Sequence, residues 1–100
     1  SEEDSGEKMP AGVTVSKVMV VQMLRNGIQI RVTSSQFLIS FVLPAGANPS
    51  LYSILFWDEG SGTWIEIPMA YVIDSTNGGI GRLEAWVNRT GKYVLVFRGI

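Results

Sequence analysis

From residue 13 onward, short runs rich in Val, Ile, Phe, Tyr and Trp alternate with clusters of Gly, Asn and Pro, and no stretch carries a helical period. Runs this short cannot form helices long enough to bury a face, so they read as strands joined by turns. The pattern predicts about eight strands: roughly 13–24 (interrupted near Ser16), 28–34, 36–43, 51–57, 64–67, 69–74, 80–87 and 92–98. Short strands at regular spacing predict an all-β fold, an antiparallel β-sandwich or partly open barrel of immunoglobulin-like type. A chain of 100 residues suffices for one such domain, with a core that needs neither disulfide nor metal.

Turn chemistry sets three hairpins in register. Asn26-Gly27 is the preferred pair for a two-residue type I′ turn. It sets Met23 opposite Ile30 and Val21 opposite Val32 on an apolar face. Leu24/Gln29, Gln22/Arg31 and Val20/Thr33 fall on a solvated one. The turn Asp58-Glu59-Gly60-Ser61-Gly62-Thr63 pairs Phe56 with Ile65, Ile54 with Ile67 and Tyr52 with Met69 as a core face. Its other face carries Trp57/Trp64, Leu55/Glu66 and Ser53/Pro68, which is less apolar. A third hairpin, through Asn88-Arg89-Thr90-Gly91, is expected to pair Ala85 with Val94 and Leu83 with Val96. Trp86/Tyr93, Glu84/Leu95 and Arg82/Phe97 then lie behind. Residues 92–98 are apolar on both faces, which predicts an interior strand, with Pro44 and Pro68 blunting the edges.

The chain contains no histidine and no cysteine. A Ser-His-Asp triad, a Cys-His pair, a thiolate site and a His-based zinc site are all excluded, so no enzyme activity and no cofactor are expected. The net charge is −1, divided between −3 over residues 1–12 and +2 over the rest. The basic residues form no stripe, so no nucleic-acid partner is expected. No apolar run approaches the ~20 residues of a membrane helix, so this segment is expected to make no membrane insertion. Residues 1–12 read as a disordered acidic linker or flank, and 13–100 as the β-sandwich domain. The start at Ser1 and the missing signal peptide suggest a segment of a longer protein, whose targeting signal would lie elsewhere.

Three features bear on contact with something else. Trp57 and Trp64, with Glu66 beside them, can stack on a sugar ring or anchor a partner; the plainer reading is a cross-strand aromatic staple. Asn88-Arg89-Thr90 is an N-glycosylation acceptor sequence, meaningful at Asn88 only in a eukaryotic secreted protein and otherwise an ordinary turn. Asp58, Glu59 and Asp74 lack the alternating spacing of calcium loops, so no metal site is expected.

Three segments also carry a resemblance. They are Phe41-Val42-Leu43-Pro44-Ala45-Gly46, the hairpin YSILFWDEGSGTWIEIP over 52–68, and Val87 through Val96 with its Thr90-Gly91-Lys92-Tyr93 core. Together, over roughly 36–98, they resemble the ZU5-like β-sandwich modules of ankyrins, netrin receptors and death-domain adaptors, and related modules of bacterial surface and secreted proteins. The resemblance implies a non-catalytic interaction and spacer module of a larger extracellular or cell-surface protein. Its partners would be neighbouring domains of the parent chain or another protein. Some family members cut their own backbone at a His-Phe-Ser site. Neither Gln36-Phe37-Leu38 nor Ser40-Phe41-Val42 reproduces that site, so an inert relative of a self-cleaving domain is one alternative. A carbohydrate-binding module using Trp57 and Trp64, with a glycan partner, is the other.

Overall fold

A computed structural model describes residues 8–74 and 78–99. The fold is all-β, with antiparallel sheets packed as a sandwich. One sheet has four strands in the order β1 (Thr14–Val21), β9 (Gly91–Phe97), β5 (Tyr52–Asp58) and β6 (Thr63–Ile67). The other has three, β4 (Val32–Val42), β8 (Ile80–Arg89) and β7 (Ala70–Asp74). A two-residue ribbon of β2 (Leu24–Arg25) and β3 (Ile28–Gln29) projects between β1 and β4 as a short arm. The break expected near Ser16 is a bulge, where the β1–β9 register shifts between Val15 and Lys17.

The 58–63 hairpin has its expected register: Asp58 faces Thr63, Trp57 faces Trp64, Phe56 faces Ile65 and Ile54 faces Ile67. It stops there, because Pro68 has no N–H to donate. The expected Tyr52/Met69 pair does not form; on the opposite edge of β5, Tyr52 faces Phe97 of β9, their rings 5.2 Å apart. Pro68 follows the edge strand β6, and Pro44 lies just beyond the edge strand β4.

At the arm, Asn26 and Gly27 both have positive φ, as a type I′ turn requires, and Leu24 faces Gln29. The Ile30 N–H reaches the Met23 carbonyl at 2.8 Å. Below that point the two legs part. Val21 pairs with Gly91 in one sheet and Val32 with Arg89 in the other, so the expected Val21/Val32 ladder does not form.

The third hairpin is the main correction. β8 and β9 do not share a ladder; they lie in opposite sheets. The expected pairs Ala85/Val94 and Leu83/Val96 do not form: Leu83, Ala85 and Val87 instead join Tyr93, Leu95, Ile54, Phe56, Ile39 and Phe41 across the sandwich in one buried cluster, while Val94 and Val96 face the other way. Alternation marks which face is apolar, and both geometries satisfy it. Thr90, a single residue between the two strands, makes the crossing. It is buried, its hydroxyl donates to the Ile30 carbonyl at 2.6 Å, and its N–H donates to Arg31 at 2.9 Å. The next residue, Gly91, sits at φ 132°, which only glycine adopts readily, and a Cβ there would lie 3.2 Å from the Phe56 ring. Gly91→Ala is expected to cost about 1–3 kcal/mol in urea unfolding. A neutral result would mean that this corner is not strained.

β9 is the interior strand expected from its composition. Tyr93 and Leu95 face the main core, while Val94 and Val96 face outward with Leu55 in a second buried cluster. Met9, Val13, Val18 and Trp64 pack on that second cluster. Residues 8–12, expected to belong to a disordered linker, thus begin with a segment laid on the sheet. The reason is tertiary: Val94 and Val96 need a cover that Met9 and Val13 supply. Residues 1–7 of the expected linker lie outside the described residues.

Candidate functional site

Trp57 and Trp64 stand directly opposite each other on β5 and β6, ring centroids 5.2 Å apart and planes inclined by 59°. Their environments differ. Trp64 packs on Leu55, Val94 and Val96, and its indole N–H donates to the Lys8 carbonyl at 3.0 Å. Much of that ring is therefore engaged with the chain itself. Glu66, two residues along β6, pairs with Arg98 at 3.2 Å, and the Arg98 Nε donates to Ser53 Oγ at 3.0 Å. The three residues do share one face, but Trp64 and Glu66 already have intramolecular partners there.

Trp57 reaches a different feature. It lines an open groove of about 700 Å3 at the end of the sandwich, where the arm, the 58–62 turn and the 88–92 corner meet. Gln22, Gln29 and Arg31 come from the arm side, and Asp58 and Glu59 from the turn. Arg89 and Lys92 come from the corner, and Asn88 lies on the same rim. Arg31 approaches Glu59 at 3.9 Å, and Arg89 approaches Asp58 at 3.8 Å while lying 5.5 Å above the Phe56 ring. Among the described residues no group of three or more acidic, His or Cys side chains is placed to hold a metal ion.

Tyr93 is the group whose ionisation the fold alters most clearly. Burial pushes its phenol up to about 12, and the nearby Arg89 partly offsets that rise. Its hydroxyl donates to the Arg89 carbonyl at 2.6 Å, so it stays neutral and serves the corner between the sheets.

The outer face of the three-stranded sheet holds Trp86, expected opposite Tyr93 in the third hairpin and not among the contact candidates. Trp86 faces Leu38 across β8 and β4 and is 62% exposed. Val42 and Ile80 are also exposed on this side, with Val72 half-buried beside them. Between them Arg82 is paired with Glu84 at 2.6 Å and with Asp74 at 3.8 Å. The signal was present in β8 itself: Trp86 falls in phase with Arg82, Glu84 and Asn88, which is a solvent-facing phase. No family model, curated protein or solved structure matches the chain.

Proposed function

We propose that this chain is a non-catalytic β-sandwich interaction module of a larger extracellular or cell-surface protein. In this reading it meets its protein partner through the outer face of the β4–β8–β7 sheet. One observation carries the proposal: Trp86 stands 62% exposed beside Leu38, with Val42 and Ile80 exposed further along the same sheet face, which the described residues leave open. The opposite outer face offers an internal comparison. There Met9 and Val13 of the same chain cover Val94 and Val96. Exposed tryptophan with aliphatic neighbours is the composition of an interface centre, where a few such residues carry most of the binding energy.

The charges on the face favour one kind of partner. Arg82 is already matched by Glu84 and Asp74, so the face offers no free field to a nucleic acid or an anionic lipid. A folded protein with an apolar pocket for the indole fits best, whether a neighbouring domain of the parent chain or a separate protein. The lack of histidine and cysteine supports a module that holds rather than reacts.

The test places a photo-crosslinker at the site, as Trp86→p-benzoylphenylalanine, in the source cells. The captured protein is then purified and titrated against the wild-type chain. Binding is expected to weaken roughly tenfold or more in Trp86→Ala, the range of a truncated hot spot, and to survive Gln29→Ala. No adduct, or a captured protein whose affinity ignores Trp86→Ala, would remove the proposal.

A further inference from the structure

We infer that the groove between the arm and the 58–62 turn is a binding site for a neutral, hydroxyl-rich ligand, a short oligosaccharide. This goes beyond the sheet-face reading and stands on other residues. The groove, of about 700 Å3, lies in the size range of ligand sites and is assembled from segments far apart in sequence.

Its walls are held in place before any ligand arrives. The arm is closed by its Asn26-Gly27 turn, and its base is tied by Thr90 to Ile30 and Arg31. The opposite wall is knit around Asp58. The Asp58 carbonyl accepts the Gly62 N–H at 2.8 Å, and its carboxylate accepts the Gly60 N–H and the Ser61 hydroxyl at 3.2 and 2.9 Å. A site fixed in this way loses little entropy on binding.

The chemistry of the lining selects the ligand class. Arg31 and Glu59 face each other at 3.9 Å, and Arg89 and Asp58 at 3.8 Å, so donors and acceptors alternate at short range. An anion drawn to the arginines would meet Asp58 and Glu59. A cation drawn to those carboxylates would meet Arg31, Arg89 and Lys92. A hydroxyl group both donates and accepts, and suffers neither conflict. The amides of Gln22 and Gln29 add two donors and one acceptor each. Trp57 adds apolar ring surface for the C–H face of a sugar. No role falls to Trp64, whose ring and N–H are engaged elsewhere.

The experiment titrates the chain with cellohexaose, xylohexaose, maltohexaose, mannohexaose and chitohexaose, following the Trp57 indole and Gln29 amide resonances by NMR. At least one sugar is expected to shift both saturably. The double variant Gln29→Ala/Arg31→Ala, whose side chains lie outside the core, is expected to bind roughly tenfold more weakly or worse. Trp86→Ala should bind as wild type, which separates this site from the sheet face. Three results would overturn the inference: no saturable shift with any of the five, binding that survives the double variant, or tighter binding of a sulfated heparin hexasaccharide than of any neutral sugar.

Discussion

Replacing Leu95 by alanine is expected to lower the unfolding free energy by about 3–5 kcal/mol, the upper part of the range for large-to-small core substitutions. Leu95 is fully buried in the middle of β9. β9 is paired on both edges, to β1 and to β5, and covered on both faces by separate apolar clusters. Neighbours fixed on four sides cannot collapse into the space that the missing side chain leaves, so most of the cavity cost persists. A domain of this size has only about 5–15 kcal/mol to lose. Each kcal/mol moves its midpoint by roughly 4–8 °C, so the variant should melt at least ~10 °C below wild type. Urea and thermal unfolding measure both quantities. A loss under ~1 kcal/mol would mean that β9 is not the central strand.

Raising the pH from 10 to 12 is expected to remove about 2 kcal/mol of stability through Tyr93 alone, most of what a phenol displaced by about two pH units can contribute. The direction follows from proton binding. Burial pushes the folded-state phenol up to about 12, whereas the unfolded chain releases that proton near 10. Between those values the folded state holds one more proton than the unfolded state, so stability falls by roughly 1.4 kcal/mol per pH unit. The contribution is fully present below pH 10 and lost as pH rises through 12. The cause is burial, which disfavours the charged phenolate, and ionisation would also forfeit the hydroxyl's bond to the Arg89 carbonyl. Urea unfolding from pH 9 to 12 should show the slope in wild type and a flatter one in Tyr93→Phe. Identical slopes would place the tyrosine in a wetter setting than the fold gives it.

How much of this could be read in the residues depends on the range of the interaction involved. The Asn26-Gly27 turn and the 58–63 hairpin are local, so turn chemistry and alternation sufficed for their registers. The pairing of Trp57 with Trp64 came with the second. The β8–β9 connection departs from the expected hairpin because Leu83 and Ala85 alternate identically whether they meet Val96 and Val94 in a ladder or Leu95 and Tyr93 across the core. One residue of linker looks like a hairpin, and only the Thr90 bonds and the φ of Gly91 reveal a corner. Met9 was hidden for a related reason. A single apolar residue in an acidic stretch acquires meaning only from Val94 and Val96, far along the chain. The groove was hidden more deeply, since its walls come from three separated segments.

The exposed tryptophan is where the reading of function is most open to direct measurement. Trp86→Ser removes a large ring from a sheet face where Leu38 is its cross-strand neighbour and water its main one. Equilibrium unfolding of this variant beside wild type should differ by no more than about 1 kcal/mol, the scale of a cross-strand pair on an open face. That result would leave the indole available for a partner. A loss comparable to that of Leu95→Ala would show that the ring holds the fold together, and would contradict its assignment as the contact residue.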